Sequence, residues 1–193
     1  MTESLLTIWA ADREVLPDQI RELLAQGCDI NEVAIDGQTP LIKASYYSNS
    51  IEVLQIMLDA GANISARDDM GRTVLFGAVL ANKINNVRFF IQNRASVNAR
   101  LLENGLTPLL VACETASLEI VKALIDAGAG INTKDSHGYS PIMVAIQANR
   151  EDVVQELLNH GARVDRELVS FVESFSDFSK TEVGQKIKCS CYN

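Results

Sequence analysis

The chain has 193 residues, 47% of them hydrophobic and 22% charged, which is ordinary for a soluble globular protein and shows no sign of global disorder. Its formal net charge is −8, and residues 1–165 carry the whole excess, with 13 Lys/Arg against 21 Asp/Glu. That balance argues against nucleic acid or an anionic membrane as a partner, because both require clustered cations. Solubility is the other interpretation of the acidity.

The first segment, residues 1–33, is predicted to be a capping pair of helices. Helices are expected over Ser4–Ala11 and Pro17–Gln26, each with apolar residues at helical spacing. Trp9 is interpreted as a partly buried residue of this cap and not as a binding residue. The segment ends in the sequence GCDIN, a pattern that returns later in the chain.

Four turns then open at regular intervals of 34, 34 and 33 residues, at Gly37, Gly71, Gly105 and Gly138. Glycine suits such turns because it tolerates positive φ. A Thr or Ser follows each glycine two residues later and can cap a helix, and in three units a proline fits the first helical turn. The sequences in question are TPL at 39–41, TVL at 73–75, TPL at 107–109 and SPI at 140–142.

The far ends of the units also align, as GANI at 61–64, RASVN at 94–98, GAGIN at 128–132 and GARVD at 161–165. A period of 33 residues with G-x-T-P-L and G-A-x-[VI]-N resembles the ankyrin repeat. The resemblance implies an all-α repeat solenoid of stacked helix-turn-helix units with β-hairpin tips. The expected repeats are 34–67, 68–100, 101–134 and 135–165, following the N-terminal capping repeat at 1–33.

The unit 68–100 departs most from the pattern. Val74 replaces the proline, Asn86 stands where an aliphatic residue is expected, and Arg94 replaces the closing glycine. An L-residue in the left-handed region costs about 1 kcal/mol relative to glycine, so this unit is predicted to be the least stable of the central ones. The next unit carries Leu101-Leu102 before its turn, either tucked under the tip or exposed.

The segment 166–193 is predicted to be a C-terminal capping helix and a polar tail. Arg166–Phe178 has apolar residues at mixed helical spacing, which favours a helix covering the open end of the stack. Residues 181–193 either pack back on the protein or remain mobile.

No catalytic, cofactor or metal motif is recognised, so a non-enzyme without a cofactor is expected. His137 and His160 stand in different units, and neither has a nucleophile–base arrangement beside it. Four cysteines, including Cys189 and Cys191, form neither a disulfide framework nor a zinc set. The start lacks a basic signal region and no apolar run approaches a membrane span, so a reducing, cytoplasmic location is expected.

The resemblance implies a protein-binding module that uses its concave face of hairpin tips and first helices. The candidate contact residues are Ile35, Asp36, Gln38, Tyr46, Tyr47, Asp69, Met70, Arg72, Leu80, Glu103, Asn104, Leu106, Glu114, His137, Tyr139 and Gln147. Tyr46 and Tyr47 are expected beside Asp68 and Asp69, which favours a protein partner with a basic surface and an apolar centre. The chain is expected to be a monomeric adaptor or inhibitor; the alternative is a structural subunit of an oligomeric assembly that uses its ends or tail.

Overall fold

The computed structural model describes residues 4–10, 15–175 and 177–190. The chain forms two compact units. Unit 1 ends at Glu103, and unit 2 begins at Asn104. The part of the chain that is described contains eleven α-helices and two short 3-10 helices, and no residue in it is in a strand. The hairpin tips are therefore tight turns, as at Ala34, where the N–H donates to the Gln38 carbonyl oxygen at 2.9 Å.

Unit 1 is a two-layer stack of short antiparallel helices. Its helices are α1 (Pro17–Ala25), α2 (Pro40–Tyr47), α3 (Ile51–Asp59), α4 (Val74–Leu80) and α5 (Ile84–Gln92). The first helices α2 and α4 pack against each other, and α3 contacts both α1 and α5 in the other layer. Of the predicted helix at the N-terminus, the structure shows a 3-10 turn at Ile8–Ala10, and Ala11 lies outside the described residues. Trp9 was predicted to be partly buried, and it is buried there, with 7% of its surface exposed.

Unit 2 repeats the same two layers and extends them. Its helices are α6 (Pro108–Thr115), α7 (Leu118–Asp126), α8 (Pro141–Gln147), α9 (Glu151–Asn159), α10 (Arg166–Ser174) and α11 (Glu182–Ser190). Helices α6 and α8 pack in one layer, and α7 and α9 pack in the other. Helix α10 contacts α8 and helix α11 contacts α9, so the C-terminal pair continues both layers.

The C-terminal tail packs against the rest of unit 2 over the residues that the structure describes. Val183 and Ile187 of α11 are buried, together with Phe178 in the 3-10 helix Phe178–Lys180 that joins α10 to α11. A side chain on Gly184 would collide with the carbonyl of Phe178, so glycine permits this close approach. Of the two alternatives left open by the sequence, residues 181–190 pack back, while residues 191–193 lie outside the described residues.

Polar side chains tie successive repeats together within each unit. The Asn31 amide donates to the Gly61 carbonyl oxygen at 3.0 Å and accepts from the Asn63 N–H at 2.8 Å. In unit 2, Asn132 makes the same pair of hydrogen bonds, to Gly161 and Arg163. The closing turn of one repeat is thus joined to the asparagine of the previous one.

A cation caps the end of a first helix in each unit. Lys83 Nζ donates to the carbonyl oxygens of Tyr47 and Ser48, at 2.8 and 3.1 Å, where α2 ends. In unit 2, the Arg150 guanidinium donates to the Ala112 carbonyl oxygen at 3.0 Å, near the end of α6. Both contacts place a positive charge beside helix C-terminal carbonyl groups, which the helix dipole favours. Partial burial lowers the pKa of Lys83.

Candidate functional site

A groove crosses the surface of unit 2 between the first helices α6 and α8. Its volume is about 260 Å³. The residues that line it are Leu106, Leu110, Glu114, Asp135, Tyr139, Val144, Gln147 and Ala148. Four of the six unit 2 candidates from the sequence, Leu106, Glu114, Tyr139 and Gln147, are brought together here.

The tip of the last repeat holds Tyr139 in place at this groove. The Asp135 carboxylate accepts hydrogen bonds from the N–H groups of His137 and Tyr139, both at 2.9 Å. The Asp135 N–H in turn donates to the Tyr139 carbonyl oxygen at 3.0 Å, and Gly138 between them has φ +89°. Because the turn is closed from both its backbone and its aspartate, Tyr139 leaves it at a defined position.

A second cleft lies on the other side of Tyr139, between the tip and α10. Its volume is about 440 Å³. The residues that line it are His137, Gly138, Tyr139, Met143, Glu167, Ser170, Phe171 and Ser174. The Tyr139 and Phe171 rings meet edge to face, with centroids 5.8 Å apart and planes at 73°. Phe171 and Glu167 were not among the predicted contact residues, because α10 carries no repeat signature and was predicted only to cover the end of the stack.

The charged groups along the two clefts are mostly acidic. Glu114 is exposed at the groove between α6 and α8. In the described part of unit 2, no Lys or Arg lines the groove or the second cleft. Glu167 at the second cleft is paired with Lys134, with Nζ and Oε2 2.8 Å apart. An aromatic side chain between an exposed carboxylate and an apolar wall is an arrangement suited to a side chain with an apolar stem and a positive end.

In unit 1, the two adjacent tyrosines have different environments. Tyr47 is 61% exposed, whereas Tyr46 is half-buried against α4, with ring centroids of the pair 6.2 Å apart. Gly77 of α4 makes room for Tyr46, since a Cβ on Gly77 would stand 2.8 Å from its ring. Burial raises the pKa of Tyr46. Tyr46 therefore packs within unit 1 and also forms part of its surface.

The expected grouping of Tyr46 and Tyr47 with two surface aspartates is wrong in one part, because Asp68 is buried. Its carboxylate accepts hydrogen bonds from the N–H groups of Met70 and Arg72, at 3.0 and 2.8 Å, and pairs with Arg72 Nε. Asp68 closes its turn as Asp135 does in unit 2, and it neutralises Arg72. Asp69 is the exposed acid of this tip.

The remaining candidates lie on exposed or half-exposed tip and helix-end positions. The exposed ones are Ile35, Asp36, Met70, Leu80, Glu103 and His137, the last of which also lines the second cleft. Gln38 and Asn104 are half-buried. Within the residues that the structure describes, no three His, Cys, Asp or Glu side chains are grouped to hold a metal ion. No described helix is long and apolar enough to cross a membrane.

The model of a family described as ankyrin repeats (3 copies) matches residues 7–101 and 97–167. The chain belongs to the ankyrin-repeat family. Such repeats are generally protein–protein interaction modules and typically are not catalytic. The match ends at residue 167, just after α10 begins, so most of the C-terminal helix pair lies outside it.

Curated relatives match this chain over a short part of much longer proteins. The chain is 33% identical over 120 residues to neurogenic locus notch homolog protein 2 of Homo sapiens, which covers 62% of this chain and 5% of that protein. It is 32% identical over 128 residues to neurogenic locus notch homolog protein 1 of Homo sapiens, covering 66% of this chain and 5% of that protein. The neurogenic locus Notch protein of Drosophila melanogaster is 37% identical over 114 residues, and the match covers 58% of this chain and 4% of that protein. The chain thus spans about a twentieth of these relatives' length.

Proposed function

We propose that this ankyrin-repeat chain is a non-enzymatic adaptor or inhibitor that binds a protein partner on its face of hairpin tips and first helices. The groove around Tyr139 carries the proposal, because four candidate contact residues named from the sequence line it together. Its walls combine an aromatic ring, aliphatic side chains and the exposed Glu114. Such a mixture is typical of the centres of protein interfaces.

The proposed partner presents a basic surface with an apolar centre. The net charge of −8 and the acids of the groove favour this complementarity, since opposite potentials speed association and suppress partners of like charge. Tyr139 supplies apolar contact area and a hydroxyl group, so its truncation is expected to cost about 2 kcal/mol of binding free energy or more.

The test compares proteins captured from a lysate of the source cells by immobilised wild-type chain and by variants, using quantitative mass spectrometry. Tyr139→Ala and Glu114→Lys alter the groove, and Glu119→Lys is the matched control, because Glu119 is an exposed acid on α7 in the other layer. We expect a protein that the wild type and Glu119→Lys retain and that both groove variants lose. Circular dichroism establishes that each variant is folded.

Equal recovery of every captured protein by the wild type and by both groove variants would contradict the proposed site. A loss that occurs with Glu114→Lys and Glu119→Lys but not with Tyr139→Ala would show that charge alone, and not the groove, determines capture.

A further inference from the structure

The exposed apolar residues of this protein are concentrated in unit 1. Among the described residues, every large apolar side chain that is strongly exposed belongs to that unit: Leu16, Val33, Ile35, Tyr47, Met70, Leu80 and Leu102. Three of them occupy successive hairpin tips. Ile35 is fully exposed, Leu102 is 72% exposed and Met70 is 47% exposed. The alternatives for Leu102 left by the sequence are thereby decided, since it is exposed and not tucked away.

Each of these tips also carries an exposed acid next to its apolar residue. The pairs are Ile35 with Asp36, Met70 with Asp69, and Leu102 with Glu103. We call these six residues the tip row. In unit 2, the tip of the last repeat presents Ser136 and His137 at the corresponding place, so it does not continue this pattern.

Direct contacts join the three tips that carry the tip row. The Asp69 N–H donates to the Asp36 carbonyl oxygen at 3.2 Å, and the Leu102 N–H donates to the Met70 carbonyl oxygen at 3.0 Å. Each tip also lies over the glycine of the preceding one. A side chain on Gly37 would meet the Asp69 carboxylate, and one on Gly71 would meet Leu102 Cγ at 3.1 Å. Backbone contacts therefore hold the three tips that carry these apolar side chains against one another.

The charges around the row indicate what could cover it. Among the described residues, the carboxylates of Asp69 and Glu103 form no ion pair. Three nearby cations lie outside the six residues of the row. Arg72 is held by buried Asp68, Arg67 donates a hydrogen bond to the Arg100 carbonyl oxygen at 3.3 Å, and Arg100 has an interaction partner of its own. A second copy of this chain would set acid against acid, with −8 on each molecule, so it fits the row poorly.

We propose that the tip row of unit 1 docks a partner segment that contains both large apolar and basic side chains. The apolar residues of the segment cover Ile35, Met70 and Leu102, and its cations meet the acids beside them. The inference rests on the proposed function, that the tip and first-helix face binds protein, and it names the class of segment that unit 1 takes. Because three tips repeat the same pair, several weak contacts add along one segment.

The test uses the full chain, ¹⁵N-labelled, and three synthetic peptides followed by amide chemical shifts in NMR. The first peptide alternates lysine and valine; in the second glutamate replaces lysine, and in the third serine replaces valine. We expect the first peptide to bind with a dissociation constant below about 1 mM and to shift amides of the tip row. The two substituted peptides are expected to bind at least about tenfold more weakly, since each lacks one half of the complementarity.

Matched variants separate the two contributions. The double variant Met70→Ser with Leu102→Ser is expected to weaken binding about tenfold, whereas Leu16→Ser, which changes an exposed apolar residue away from the tips, leaves it unchanged. Asp69→Asn with Glu103→Gln is expected to weaken binding severalfold at low salt and to flatten its salt dependence. Glu119→Gln is the charge control.

The proposal is overturned if the lysine–valine peptide leaves the tip row unshifted up to about 1 mM, or if the glutamate peptide binds as well. An equal effect of Leu16→Ser would also overturn it. Shifts confined to the groove around Tyr139 would show that the tip row is not the binding site, and the proposed function would be unaffected. Tip-row shifts, together with full lysate capture by Tyr139→Ala, would support binding at the tip row and contradict binding at the groove.

Discussion

Arg94 occupies the left-handed region that a closing glycine normally takes at the end of a second helix. Its φ is +65°, as the sequence predicted, while Gly27, Gly61, Gly128 and Gly161 have φ between +84° and +88° at the equivalent turns. No atom lies within 4 Å of a Cβ built on any of those four glycines. The cost of Arg94 is therefore one of backbone conformation and not of crowding.

We expect Arg94→Gly to raise the free energy of unfolding by about 0.5–1 kcal/mol, because the left-handed strain is removed. Urea unfolding followed by circular dichroism measures the change. Arg94→Ala is the control, since alanine keeps the strain and is expected to bring little gain. Equal stabilisation by both variants would mean that the arginine side chain, and not the backbone, is responsible.

Asn86 shows how tertiary contacts can reverse an interpretation made from one position. It was expected to weaken the unit 68–100, yet it is buried, and its amide donates to the carbonyl oxygens of Ser45 and Ser48, at 3.3 and 2.9 Å. Those carbonyls lie near the end of α2, where helical partners are missing. Asn86 therefore joins two repeats, and the predicted weakness of its unit rests on Arg94 and on Val74.

We expect Asn86→Leu, which introduces the residue type of the repeat pattern, to lower the free energy of unfolding by about 1–3 kcal/mol. The buried Ser45 carbonyl oxygen would lose this donor, while the Ser48 carbonyl oxygen would keep Lys83 Nζ, and buried polar groups that lose a partner are costly. Equilibrium urea unfolding gives the value, and Asn85→Leu is the control at an exposed neighbour. If the Asn86→Leu variant were as stable as the wild type, these hydrogen bonds would contribute little.

At the scale of elements, α10 and α11 form a helix pair that closes unit 2. Leu168 and Val172 of α10 and Val183 and Ile187 of α11 are buried, although this segment lacks the T-P-L sequence of the repeats. An open repeat end would expose the apolar faces of α8 and α9. We therefore propose that the pair caps the C-terminal end of its unit, with α11 as a part of the cap.

We expect Ile187→Ala to lower the free energy of unfolding by about 2–4 kcal/mol, because a buried side chain leaves a cavity. Gln185→Ala on the exposed side of α11 is the matched control and should change it by less than about 0.5 kcal/mol. Thermal or urea unfolding of the full chain measures both. If Ile187→Ala behaved like its control, α11 would be dispensable for the stability of unit 2.

At the scale of the whole molecule, the net charge of −8 opposes self-association through the acidic tips. We expect light scattering after size exclusion to give the monomer mass of 21.1 kDa at physiological salt. A discrete homo-oligomer would favour the alternative of a structural assembly subunit that uses its ends or tail. Measurement at raised salt tests whether charge repulsion is the reason for a monomer.

The order of helices, their proline and threonine starts and the left-handed turns could be predicted from the sequence alone. Each depends on chemistry within a few residues: the Thr39 hydroxyl accepts from the Ile42 N–H, and Gly61 adopts φ +87°. Repetition of these local signals at a 33-residue period also identified the family, because stacked units must satisfy the same local rules each time.

Contacts between repeats were decided only by the tertiary structure. Asn86 reaches Ser45, 41 residues away, and Gly77 makes room for Tyr46; neither partner can be read from a single repeat. The same holds for Phe171, which joins Tyr139 at the second cleft, and for Ile187, which turns a polar tail into a cap. These side chains take their role from which surfaces meet on stacking, and local propensity carries no information about that.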